Sequence, residues 1–191
     1  MPHAELHLVT GGARSGKSRY AERLARTLGG DHVAYLATLA PLDDEMRRRI
    51  RRHRARRPST WTTHELTQNV NADAVTRHLA HAPAATILLD CLAGLISTVL
   101  LEHAPDDTAA QGEALAVADA LAATGRATGK TLIVVTNEVG SGVVPATKLG
   151  RVYRDILGLT NQRLAARADT VTLLTAGLPL PLKGEPPQEN A

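Results

Sequence analysis

Two short stretches carry residue types and spacings suited to chemistry on phosphates. The first is GGARSGKS, Gly11 to Ser18, which satisfies the spacing G-x-x-x-x-G-K-[ST] throughout. Gly11 and Gly16 let the chain curl so that backbone N–H groups face an anion, with Gly12, Ala13, Arg14 and Ser15 making the turn between them. Lys17 is then placed to reach the β- and γ-phosphates of a nucleoside triphosphate, and the Ser18 hydroxyl to bind Mg²⁺. The second stretch is RRRIRRHRARRP, Arg47 to Pro58, with eight arginines around one histidine, His53. A phosphate loop also needs a carboxylate linked to its metal. Asp90 ends the apolar run ATILLD (85–90) in the position of a Walker B acid. The same aspartate could cap a helix beginning at Cys91, and the two roles are compatible.

By charge alone the arginine run reads as a nucleic-acid patch. Its helical phase points elsewhere. The segment LDDEMRRRIRRHRARRP has Asp43, Asp44 and Glu45 at its start and Pro58 at its end, the marks of a helix over 43–57. On a 3.6-residue period Met46, Ile50, His53 and Arg57 share one stripe. That turns His53 toward the body of the protein, while Arg47, Arg48, Arg51 and Arg54 largely point away. An inward histidine is either a core residue satisfied by a backbone partner or a nucleophile. In the second role, neighbouring guanidinium groups favour a neutral ring with a free lone pair and neutralise a triphosphate during attack at phosphorus. Such a ring can carry a phosphoramidate.

The elements that must position these groups follow from the apolar pattern. Runs at 5–10, 33–38, 85–90, 131–136 and 170–175 read as buried strands. Helical patterns lie near 17–28, 43–57, 68–81, 91–103, 108–128 and 147–167. This alternation predicts an α/β fold, a mostly parallel sheet with helices on both faces and ligands beyond the carboxyl ends of the strands. One nucleotide-binding domain over 1–183 and a flexible tail over 184–191 account for the chain. At 191 residues it can bury about 70% of its unfolded surface without cross-links.

Composition narrows the partners. The chain holds 22 Lys and Arg against 19 Asp and Glu, and removing the eight arginines of the run leaves 14 against 19, a net of −5. Positive charge is therefore one concentrated site, suited to a compact polyanion such as a nucleotide. With no Phe, one Trp and three Tyr, platforms for stacking single-stranded bases are scarce, so no nucleic-acid partner is expected. A single cysteine excludes a disulfide framework within the chain and a cysteine-based zinc site. No run approaches the ~20 apolar residues of a membrane span, and a cytoplasmic enzyme is expected.

Other segments are less determinate. TNEVGSGVVP (136–145) follows a strand, so Asn137 and Glu138 lie at the carboxyl edge, either as a substrate-side loop or as a structural turn. Arg154, Asp155 and Asn161 of the last long helix could serve the site, an interface or surface ion pairs. His3, His7, His32, His64, His78, His81 and His103 show no ligand spacing. His78 and His81 are expected at the surface.

Taken together, TGGARSGKS, then YLAT…DDEM…RI..HRARRP..W.T.E, LLDCL, VTNEVG.G.VP and RD..G..NQRLA resemble the bifunctional adenosylcobinamide kinase/adenosylcobinamide-phosphate guanylyltransferase family of cobalamin biosynthesis. The resemblance runs from about Leu6 to Lys183. It implies a RecA-like P-loop NTPase fold and a homotrimer. It also implies two reactions: phosphorylation of adenosylcobinamide by GTP or ATP, then transfer of GMP from GTP through a guanylyl-histidine. The residue matching that histidine is His53, with Lys17 as its catalytic companion. The family's nucleotide contacts fall on Gly11 to Ser18, on Ala37, Thr38 and Leu39, on Arg54, Ala55, Arg56 and Arg57, and on Glu65 and Asp90. Ser18 and Asp90 would hold Mg²⁺.

Overall fold

The computed structural model describes residues 4–40 and 44–187. Asp43, where the arginine helix was expected to begin, and the last four residues of the expected flexible tail lie outside them. Seven strands form one sheet in the order β3-β2-β4-β5-β1-β6-β7. They are β1 (Leu6–Gly11), β2 (Val33–Ala37), β3 (Thr62–Glu65), β4 (Thr86–Asp90), β5 (Thr131–Val135), β6 (Thr170–Thr175) and β7 (Leu178–Lys183). All neighbours pair in parallel except β6 and β7. Strands β4 and β5 are almost wholly apolar because both of their faces are covered.

The helices are α1 (Lys17–Gly29), α2 (Asp44–Arg56), α3 (Ala72–His81), α4 (Leu92–His103), α5 (Asp107–Thr128) and α6 (Lys148–Arg167). Right-handed crossovers fix their faces. The steps β1 to β2 and β2 to β3 run one way along the sheet, which puts α1 and α2 on one face. The steps β3 to β4, β4 to β5 and β5 to β6 run the other way and put α3 to α6 on the opposite face. Within the second layer α5 packs against α3, α4 and α6. In the first, the Arg56 guanidinium bonds the Glu22 carboxylate at 2.9 Å and ties α2 to α1.

Three helix starts are set by side-chain caps. Asn71 Oδ1 accepts from the Ala74 N–H at 2.8 Å, so α3 begins at Ala72 and residues 68–71, expected as helix, are not. Asp106 and Thr147 cap α5 and α6 in the same way. Strands β3 and β7 were not expected. β3 is TTHE, a short edge strand with no apolar run. β7 is LPLPLK, whose prolines argue against a strand except at the edge of a sheet, where it lies.

Candidate active site

The phosphate loop is built by two sharp demands on glycine. A Cβ at Gly11 would sit 2.5 Å from the Leu174 carbonyl oxygen of β6, so only glycine permits that approach. Gly16 adopts φ 97°, in the left-handed region, immediately before α1. No side chain caps that helix, so its first-turn N–H groups and positive dipole end remain for an anion. Lys17 is buried, and its Nζ donates to the Gly12 carbonyl at 2.9 Å, folding the lysine back over its own loop.

Asp90 ends β4, next but one to β1. It is 7% exposed, and its Oδ2 accepts from the Tyr35 hydroxyl at 3.0 Å. The same oxygen lies 3.5 Å from His53 Nδ1, at the outer limit of a hydrogen bond. Burial pushes the Asp90 carboxyl up, but hydrogen bonds with His53, Tyr35 and Ser18 outweigh it and hold the group below the usual carboxylate range. Burial, with the Asp90 charge added, pushes the Tyr35 hydroxyl up, so Tyr35 stays a proton donor. Helix α4 takes Cys91 as its N-cap, and the Asp90 side chain turns to Tyr35 and His53.

His53 is thus turned inward as its phase predicts, with 18% of its side chain exposed. Its ring meets a carboxylate rather than the backbone partner of an ordinary core histidine. With Nδ1 directed at Asp90, Nε2 is the ring nitrogen turned away from that carboxylate. Arg57 braces the same helix end: its guanidinium lies 3.6 Å from the centre of the Tyr35 ring, and its Nε donates to the His53 carbonyl at 3.2 Å.

Two cavities meet at Lys17, Ser18 and His53. The inner one, about 110 Å³, gathers Ala37, Leu39, Arg57, Glu65 and Asp90 from the carboxyl ends of β2, β3 and β4 and from the residue that follows α2. The outer groove, about 810 Å³, runs along the phosphate loop from Ala13 to Gly16 and is flanked by Arg14, Arg19, Arg23, Arg52 and Arg56. Gly11, Gly12, Thr38, Arg54 and Ala55 line neither. Gly11 and Gly12 shape the loop, whereas Arg54 and Ala55 are exposed on α2. Thr38 is buried; its hydroxyl donates to the Cys91 carbonyl and accepts from the Cys91 N–H, both at 2.7 Å, which makes it a strut between β2 and α4.

Tyr35, Ile50 and Cys91 also line the inner cavity and were not among the expected site residues; Asn137, from the segment read as a substrate-side loop or a structural turn, lines it too, and Glu138 does not. Tyr35 had a signal: it is one of three tyrosines in a chain with no Phe, and it interrupts an aliphatic strand. Asn161 is half-buried and bonded to Asn137 and Thr136, not a surface ion-pair residue. His78 and His81 each direct Nδ1 to the carbonyl four residues back, and His78 is half-buried rather than at the surface. Among the described residues no group of three or more His, Cys, Asp or Glu could hold a metal ion.

The family model for cobinamide kinase / cobinamide phosphate guanyltransferase matches residues 7–182. The chain belongs to that family. It is 45% identical to the bifunctional adenosylcobalamin biosynthesis protein CobP of Pseudomonas aeruginosa, over 94% of this chain and 98% of the relative. It is 43% identical to CobU of Salmonella typhimurium and 41% identical to CobU of Escherichia coli, each over 92% of this chain and 98% of the relative. Both carry the same bifunctional description. Among solved structures, the flagellar accessory protein FlaH from Methanocaldococcus jannaschii superposes with a TM-score of 0.52 at 16% identity, covering 97% of this chain and 80% of FlaH. That likeness concerns the fold, a P-loop NTPase α/β sheet of RecA type as expected.

Proposed function

We propose that His53 carries the guanylyl group between GTP and adenosylcobinamide phosphate. The chain is a bifunctional adenosylcobinamide kinase and adenosylcobinamide-phosphate guanylyltransferase of cobalamin biosynthesis, and its site has parts for both reactions. The observation that carries the assignment of His53 is its position: it is a wall of both cavities, beside Lys17 and Ser18, with Nδ1 on the buried Asp90 carboxylate.

In the guanylyl transfer, His53 Nε2 attacks the α-phosphorus of GTP. The bond to the β-phosphate oxygen breaks and pyrophosphate leaves with that electron pair. Asp90 accepts a hydrogen bond from Nδ1–H and stabilises the cationic ring that forms, the role of an orienting carboxylate beside a histidine. A phosphate oxygen of adenosylcobinamide phosphate then attacks the guanylyl phosphorus, and the N–P electron pair returns to Nε2. In the kinase step the loop N–H groups and Lys17 hold the triphosphate of ATP or GTP. Ser18 and Asp90 fit Mg²⁺: both donors are oxygens, both line the inner cavity, and Mg²⁺ takes one or two protein oxygens plus substrate phosphates. When bound there, Mg²⁺ neutralises charge on the phosphates.

A homotrimer is part of the same proposal. Leu178, Leu180 and Leu182 of β7 are exposed, as are Val143 and Val144 of the loop after β5. Such surface favours association. Pro179 and Pro181 lack N–H groups, so β7 cannot extend the sheet through them, and contact would use its leucine face.

The test is incubation with GTP labelled at the α-phosphate, followed by denaturing electrophoresis. An acid-labile, alkali-stable label that vanishes in His53→Ala is expected. Competent GTP binding with no label would remove the guanylyltransferase assignment.

A further inference from the structure

A mid-helix asparagine weakens a helix unless its amide is used. Asn161, in the middle of α6, uses both ends. Its Oδ1 accepts from Thr136 Oγ1 at 2.7 Å, and its Nδ2 donates to the Asn137 carbonyl at 3.0 Å. Thr136 is fully buried. These two residues leave the carboxyl end of β5, the strand between β1, which carries the phosphate loop, and β4, which carries Asp90. The same turn is pinned to β1, with Thr136 N–H on the Val9 carbonyl at 2.9 Å and Glu138 N–H on the Gly11 carbonyl at 3.0 Å. The backbone of Asn137 is therefore held from α6 and from the first glycine of the phosphate loop. The residue lines the inner cavity with Lys17, Ser18 and Asp90.

We propose that Asn137 contacts the transferring phosphoryl group in the kinase half-reaction and that Asn161 is its positioning residue. In that step the acceptor hydroxyl oxygen bonds to the γ-phosphorus. The β,γ-bridging P–O bond breaks, its electron pair leaves on the nucleoside diphosphate, and the hydroxyl proton passes to water. Charge spreads over the equatorial phosphoryl oxygens, and an Asn137 amide N–H in the cavity that Lys17 also lines meets it. Asn161 touches no substrate; it sets where the Asn137 side chain begins. The inference rests on the kinase reading above.

Kinase kcat and KM are measured for the wild type, Asn137→Ala, Asn161→Leu, the double variant and Thr136→Val, alongside His53 labelling from α-labelled GTP. Asn137→Ala and Asn161→Leu should each lower kinase kcat about 10–100-fold, with nucleotide KM changed less than about threefold. The double variant should be no slower than the slower single variant, because one acts through the other. His53 labelling should stay within about threefold of wild type. Losses that multiply in the double variant, labelling that falls in step with kinase activity, or full kcat in Asn161→Leu would each overturn the inference. Should Asn161→Leu not fold, the cycle of Thr136→Val with Asn137→Ala decides the same question. An inactive wild type would sink the kinase reading and this inference with it, whereas an active wild type with multiplying losses sinks the inference alone.

Discussion

Tyr35→Phe separates the electrostatic frame of the site from its chemistry. The substitution deletes one hydroxyl and leaves the ring packed 3.6 Å beneath the Arg57 guanidinium. What disappears is the 3.0 Å hydrogen bond to Asp90 Oδ2, a donor to a buried carboxylate. Hydrogen bonds to charged groups contribute about 1.5–3 kcal/mol, so the variant should be less stable by that amount. A chain of this length shifts by about 2–4 °C in Tm per kcal/mol, which gives a fall of about 3–12 °C in a calorimetric scan. The pH dependence is also fixed. The Asp90 carboxyl is held below its ordinary value of 3.8 in the folded state, so its contribution is present above that value and is lost as pH falls through the folded one. Between about pH 6 and 8 the gap between wild type and Tyr35→Phe should therefore be flat. A variant within about 0.3 kcal/mol of wild type, or a gap that closes across that range, would refute an ionised Asp90 supported by Tyr35.

Asp90→Asn keeps the shape at position 90 but removes the charged acceptor for His53 Nδ1–H; single-turnover labelling of His53 at saturating GTP should fall about 10²–10⁴-fold. A rate within about tenfold of wild type would mean that Asp90 does not orient the ring. A separate expectation concerns His7, buried in β1 with Nδ1 2.8 Å from Thr170 Oγ1. Burial holds it below the ordinary 6.5, with the Glu5 and Asp169 charges opposing. The unfolded chain therefore binds the extra proton, and stability falls as pH drops below 6.5, by up to about 1.4 kcal/mol per pH unit. Urea denaturation of His7→Gln between about pH 7 and 5 should give a shallower slope than wild type, and equal slopes would count against this account.

The parts of this fold legible in the sequence are those where one local pattern decides the outcome. The strands leading to Gly11 and Asp90 are apolar because both faces are covered, and the spacing of GGARSGKS states its own backbone geometry. The stripe Met46–Ile50–His53 is legible because α2 has one inward face among arginines. Strand β3 is different: TTHE has no apolar face, and only pairing with β2 makes it a strand and brings Glu65 beside Ala37. The partners of His53 are equally hidden. The sequence surrounds it with cations, whereas the chain brings in a carboxylate 37 positions away through the parallel pairing of Ala37 with Asp90. Asn161 likewise has an ordinary helical neighbourhood and gains its meaning from Thr136 and Asn137 across the layer.

That assembly bears on how one phosphate loop serves two phosphorus atoms of a nucleotide. The loop itself rests on β1 and β6, and Lys17 and Ser18 line both cavities. Distinct groups converge on that pair from different sides. His53, the proposed nucleophile for the α-phosphorus, comes from α2, on the same face as α1. Asn137 follows β5, the strand between β1 and β4, and its carbonyl is held by α6 of the opposite layer. On these proposed assignments the two half-reactions share the groups that bind phosphate and divide the groups that act on it. Damage on the α2 side should therefore fall on guanylyl transfer and damage on the α6 side on phosphorylation. A loss at Lys17 should reach both, because no second phosphate loop exists in the sequence to take its place.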